Sequence, residues 1–263
     1  MRQPPFLSFL RIKKGTGKMA TGSKKTKNHK KVKAAGKDYF EVMKRVYGFD
    51  GRAASLIKAV AAKTDDFYSA MAVPTYGTQL KYGLTGNIRT KTLEKACAKA
   101  GLSSDDARYL NEAIIKQHKK PGLKDFAHEM ASIAIFFKSG KGEIGMLGNI
   151  KGDVYSGSFD LIDKRTDIDA YNIYKLGKGK KTSFADFVKY NAGVLSGAVD
   201  SRYEFLKNYG GGNAVHGRKK IEKDLNRRSP GASIILRSAK RSHGMTKEKV
   251  KSEIADFLDF LDN

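Results

Sequence analysis

The sequence predicts an all-α fold: a compact multi-helix domain with one glycine-rich insertion and a basic N-terminal tail. Three observations carry this. From position 38 onward, apolar residues recur at three- and four-residue steps. Residues suited to starting helices, among them Asp38, Ser103 or Ser104, Asp163 and Ser183, stand at the heads of those segments. Glycines at Gly48, Gly101 and Gly210 to Gly212 stand at their ends. A hydrophobic fraction of 40%, with 14 Phe and 12 Tyr in 263 residues, is enough for one substantial core.

The tail, residues 1–37, holds 12 Lys or Arg and no acid, half of the formal charge of +24. Its Gly, Lys, Thr and Ser lack hydrophobic periodicity, so ordering it would cost more than it could bury. It reads as a disordered basic tail ahead of a helical domain at 38–263. The charge calls for a polyanion or an anionic surface as partner. The single cysteine, Cys97, excludes an internal disulfide and a cysteine-based zinc cluster. No run is long and apolar enough to span a membrane. PPFLSFL is too short for a signal h-region, and most of its charge follows it, so no signal peptide is recognised.

In chain order, helices are expected from Asp38 to Gly48, Arg52 to Lys63 and Asp65 to Ala72, with Pro74 closing the first group. Residues 75–90 read as a loop. A pair follows at Thr92 to Ala100 and Asp105 to His118, split by Gly101. Lys124 to Lys138 is the central helix, because Phe126, Met130, Ile133 and Phe137 are joined by alanines and further apolar residues almost all round. Ser139 to Gly157 is too glycine-rich for a helix and reads as a β-hairpin or a loop folded over a ligand, with Asp153 its most notable side chain. Helices resume at Asp163, then at Ser183 to Leu195, Ser201 to Tyr209 and Ala214 to Asn226. A basic stretch broken by Pro230 leads to an amphipathic closing helix, Thr246 to Leu261, with Val250, Ile254, Phe257, Leu258 and Leu261 inward.

The chemistry concentrates in two stretches. On the central helix, Asp125, His128, Glu129 and Ser132 share one face, and buried charge there needs partners. His118, at the end of the preceding helix, is expected near this stripe. In the second stretch, Asp163, Asp167 and Asp169 place three carboxylates within seven residues, with Asn172 beside them. Such acids either cap a helix or hold a hard cation such as Ca²⁺ or Mg²⁺; the spacing is not that of an EF-hand. Carboxylates with a nearby imidazole suit phosphoester or pyrophosphate hydrolysis, whereas no GxSxG elbow supports a serine hydrolase. Arg202 and Glu204 read as a surface pair.

The ordered succession of Gln117-His118, DFAH at Asp125 to His128, a glycine-rich segment with an Asp, DxxxDxDxxN at Asp163 to Asn172, and RxEFLKN at Arg202 to Asn208 resembles the C-terminal domains of bacterial polymorphic toxins. Among these it resembles the streptococcal lipid II phosphatase toxins exported by type VII secretion. The resemblance covers residues 38–226. It implies a mainly helical, calcium-dependent enzyme secreted from the producing bacterium and acting at the outer face of the target membrane. There it would cleave the pyrophosphate of the lipid-linked cell-wall precursor, and an immunity protein would be its partner. By the same resemblance Asp163, Asp167 and Asp169 are metal and catalytic residues, with Asp125 and His128 supporting catalysis. His118, Asp153, Asn172 and Arg202 are the candidate substrate-binding residues. Against this stand a metal-dependent nuclease toxin, which the positive charge would also serve, and a non-enzymatic nucleic-acid or membrane-surface binder.

Overall fold

The computed structural model describes residues 38–65, 67–72, 86–139, 160–177, 180–210, 214–227 and 247–262. The basic tail, the glycine-rich segment with Asp153, and most of the basic stretch around Pro230 lie outside the described residues. Among the described residues the chain is entirely helical, with about eleven helical elements and no strand.

The first element, α1, runs Asp38–Glu41 and continues as a π-helical turn over Val42–Val46. The expected α-helix to Gly48 therefore changes pitch halfway, and Gly48, at φ 78°, ends it in a conformation that suits glycine. Then comes α2, Gly51–Lys63, capped by the Asp50 carboxylate accepting from the Ala53 amide, and a short helical segment at 67–72. The next helix, α3, spans Gly86–Lys99. It begins within the stretch expected to be loop. α4, Ser104–Lys119, opens with a capping box between Ser103 and Asp106. Two exposed contacts fasten α4 to the start of α2: Tyr109 donates to Asp50 (2.5 Å), and Arg52 pairs with Asp106 (3.1 Å).

The central helix, α5, is Phe126–Ser139. Lys124 and Asp125, expected within it, instead precede it in the connection from α4. That connection passes close under the end of α1: the amides of Leu123 and Lys124 both donate to the Val46 carbonyl. A Cβ on Gly122 would come within 2.7 Å of the same carbonyl oxygen, so only glycine fits there. Next, α6, Leu161–Leu176, is capped by Asp160, whose carboxylate accepts from Ile162 and Asp163 amides. Asp163, expected to be the cap, lies one turn inside, which frees its side chain to face α5. The remaining helices are α7 (Phe184–Leu195, capped by Ser183), α8 (Ser201–Gly210), α9 (Ala214–Arg227) and α10 (Lys247–Asp262).

The core forms where α5 lies across α6, with α4 beside α5, and α7 and α8 against α6. Phe126, Ala127, Met130, Ile133 and Phe136 of α5 are buried, as the sequence anticipates for a helix apolar nearly all round. Phe126 meets Tyr47 and Phe49 edge-on, each at 5.1 Å between ring centres. A second aromatic group joins Phe136, Tyr171, Phe205 and Tyr209 across α5, α6 and α8. α10 inserts Phe257 and Leu261 into the core, while Leu258 packs at its margin. The side chains of Val250 and Ile254 lie outside the described residues.

Because Phe126 is fully buried between two rings, Phe126→Ala is expected to lower the unfolding free energy by about 3–5 kcal/mol, read as a lowered urea midpoint with unchanged m-value.

Candidate functional site

Two polar systems grow out of the single junction Gln117 to Ser132, and consecutive residues feed them. The Gln117 side chain donates to the Lys124 carbonyl (2.8 Å) and accepts from the Phe126 amide (3.0 Å), clamping the backbone on both sides of Asp125. The Asp125 amide donates to the Thr166 hydroxyl of α6 (3.2 Å), which fixes the same point against the neighbouring helix.

The inner system is fully buried. Lys124 Nζ lies 2.9 Å from Glu129 Oε1 and 3.1 Å from Asp169 Oδ2, and all three side chains are at most 1% exposed. Each carboxylate also accepts from a phenol: Tyr47 donates to Glu129 (2.6 Å) and Tyr190 to Asp169 (2.7 Å). Asn172 extends this system, donating to the Tyr190 hydroxyl and to the Ser201 carbonyl and accepting from Asn208. Burial pushes the Glu129 carboxyl up; the Lys124 charge opposes this, and the nearby Asp169 charge adds to it.

The outer system is built from imidazoles. His118 Nδ1 lies 2.5 Å from Asp125 Oδ2, while Asp125 Oδ1 accepts from the His128 amide (3.1 Å). Asp125 thus caps the first turn of α5 with one oxygen and holds a histidine with the other. His128 Nε2 lies 3.0 Å from Asp167 Oδ1, which also accepts from the Ser132 hydroxyl (2.9 Å), and His128 Nδ1 faces Asp163 Oδ1 at 3.9 Å. His118, His128 and Asp163 retain 21%, 16% and 15% of their side-chain exposure, against 4% for Asp125 and 1% for Asp167. The open groups therefore stand in front of buried carboxylates. Burial raises the Asp163 carboxyl to about 7; His128 opposes the shift, and Asp160, Asp167 and Asp125 reinforce it.

Of the residues expected in one site, Asp125, His128, His118, Asp163 and Asp167 come together. Asp163 and Asp167, four residues apart, share the α6 face beneath His128. Asp169 does not join them: two helical residues beyond Asp167, it is turned by roughly 200° and points to Lys124 and Tyr190. Asn172 follows Asp169 into the inner system. Arg202 lies near the start of α8, its guanidinium 3.7 Å from Asp200 rather than paired with Glu204. Asp153 lies outside the described residues. The diversion of Asp169 matters for a cation: among the described residues, no group of three or more His, Cys, Asp or Glu side chains is disposed to hold a metal ion. The expected set of Asp163, Asp167 and Asp169 does not fit one as it stands.

Sequence reasoning missed Lys124, Tyr47, Thr166 and Tyr190, and it quoted Gln117 only beside His118, without the clamp its side chain forms. Lys124 left one legible trace, since a lysine just before the positive end of an apolar helix is unfavourable unless acids claim it. Compared with known proteins, the chain matches no family model, no curated protein and no solved structure.

Two outcomes follow from this geometry. Lys124→Met, which strands two buried carboxylates, is expected to cost about 3–5 kcal/mol, and adding Glu129→Gln and Asp169→Asn should return part of it in urea titrations. Asp163 binds its proton more tightly folded than unfolded, so its contribution is complete below about pH 4 and is lost as pH rises through about 7. Between pH 5 and pH 8 the wild type should lose about 2–3 kcal/mol more than Asp163→Asn, measured as the difference in pH dependence of their urea midpoints.

Proposed function

We propose that this chain is a hydrolase of phosphate or pyrophosphate esters and acts as an antibacterial toxin on the polyprenyl-linked cell-wall precursor. The observation that carries the reading is the pair of partly open imidazoles, His118 and His128, joined through Asp125 and each backed by a buried carboxylate. Imidazoles so held serve proton transfer to and from water and leaving oxygens. Asp163, which holds a proton near neutrality, stands beside His128 as a donor for the departing oxygen. The formal charge of +24 favours an anionic substrate or an anionic lipid surface. The lipid-linked pyrophosphate, the export to the target's outer face and an immunity protein as partner are what the resemblance of the motif succession to the polymorphic toxins implies. The Ca²⁺ dependence belongs to that resemblance, and no step is assigned to the ion.

The test is expression of the full chain in a susceptible bacterium, with and without an export signal, beside Asp167→Asn and His128→Ala, together with hydrolysis of purified lipid II by the isolated protein. Killing only on export, release of phosphate or pyrophosphate products in vitro, and a loss of at least 100-fold (roughly) in both variants are expected. Killing from the cytoplasm with degradation of nucleic acid would replace this reading with the nuclease. In the same assay, a rate abolished by EDTA and restored by Ca²⁺ but not Mg²⁺ would identify the ion.

A further inference from the structure

The two imidazoles are not equivalent. His128 has carboxylates at both ring nitrogens, Asp167 at Nε2 (3.0 Å) and Asp163 toward Nδ1 (3.9 Å), and its backbone amide is tied to Asp125. Whichever tautomer it adopts, its lone pair or proton faces a neighbouring side chain. His118 is held at one nitrogen only. Its Nδ1 meets Asp125 Oδ2, while its Nε2 takes no hydrogen-bond partner among the described residues. It also retains the larger exposure of the two. Its support is rigid, because Gln117 clamps the backbone on either side of Asp125, and Asp125 is fixed in addition by Thr166 and by capping α5.

We propose that His118 is the catalytic base of this site, through its outward Nε2, and that His128 is a positioning residue which orders Asp163 and Asp167. The assignment rests on the hydrolase reading above and inverts the roles that the sequence suggests for the two histidines. Asp125 accepts the Nδ1 proton and so presents the Nε2 lone pair outward. As the oxygen of a water molecule bonds to phosphorus, one of its protons passes to Nε2. The bond from phosphorus to the bridging oxygen breaks, and its electron pair leaves with the departing phosphate. The imidazolium, its Nδ1–H still donated to the Asp125 carboxylate, then releases its proton to solvent. No oxidant or further reactant is required. His118 faces Asp125 across the connection, and the last turn of its own helix also carries Lys116 and Lys119.

The experiment uses the full chain and a short-chain, water-soluble lipid II analogue, with single-turnover rates recorded from pH 5 to 9 for wild type, His118→Ala and His128→Asn. His118→Ala is expected to lose on the order of 10³-fold in rate, to lose the acid-side limb of the pH–rate profile, and to regain part of its rate with added imidazole. His128→Asn should lose less, keep that limb and show no rescue. Rescue also establishes that His118→Ala is folded; a near-ultraviolet circular dichroism spectrum matching wild type does so independently. Four results would overturn the assignment: a His118→Ala rate within a few-fold of wild type, a persisting acid limb, a folded variant that imidazole does not rescue, or phosphate trapped covalently on His118. If the wild-type protein cleaves neither lipid II nor its analogue, the hydrolase reading itself falls, which is a separate result.

Discussion

A lysine ammonium shut away from water between two carboxylates is the constraint on which the rest of this structure depends. Lys124 has no solvent to fall back on, so Glu129 and Asp169 must both be in place, and each needs a phenol to complete its hydrogen bonding. Those requirements gather the end of α1 through Tyr47, α5 through Glu129, α6 through Asp169 and α7 through Tyr190. Asn172 then brings in the first residue of α8. Once Asp169 is drawn to Lys124, helical geometry leaves Asp163 and Asp167 on a different side of α6, turned to His128. The buried ion cluster therefore sets the rotation of α6, and that rotation gives the outer site its carboxylates.

Adjacent positions in the connection from α4 divide the work. Lys124 turns inward and Asp125 toward His118, while Phe126 enters the aromatic core. Three successive side chains thus belong to an ion cluster, an imidazole–carboxylate pair and a hydrophobic contact. An ordinary helix could not separate them so widely; the non-helical backbone at Lys124 and Asp125, held under the Val46 carbonyl, makes it feasible. The π turn at the end of α1 lies directly before Tyr47 and delivers its hydroxyl to the cluster. Single π turns of this kind are rare and appear mostly as local interruptions of α-helices.

Much of this was legible in the sequence, for identifiable reasons. Local signals marked the helices: the caps at Ser103 and Ser183 and the apolar periodicity of α5 all act within one or two turns. The outer site was legible for the same reason, since Asp125 and His128, and Asp163 and Asp167, lie at helical spacings. Long-range pairing was not. Tyr47 reaches Glu129 across 82 positions, and no local pattern announces it. Asp169 looked like a third ligand because its neighbours in sequence are acids; only the buried Lys124 distinguishes it. The early start of α3 escaped because Gly86 and Asn87 are poor helix formers with no apolar repeat, and tertiary context overrode that propensity.

The path from His118 to Asp125 works as a ruler. It is pinned at one end to the last turn of α4 and at the other to the first turn of α5, and Gly122 in the middle is pressed against backbone with no room for a side chain. A span so anchored tolerates neither an inserted nor a deleted residue without parting the imidazole from its carboxylate. Most inter-helix connections vary freely in length, but here the spacing between the histidine and the aspartate is fixed by the contact that the two must close. Chains that keep the site should keep that count even where the connecting residues themselves differ.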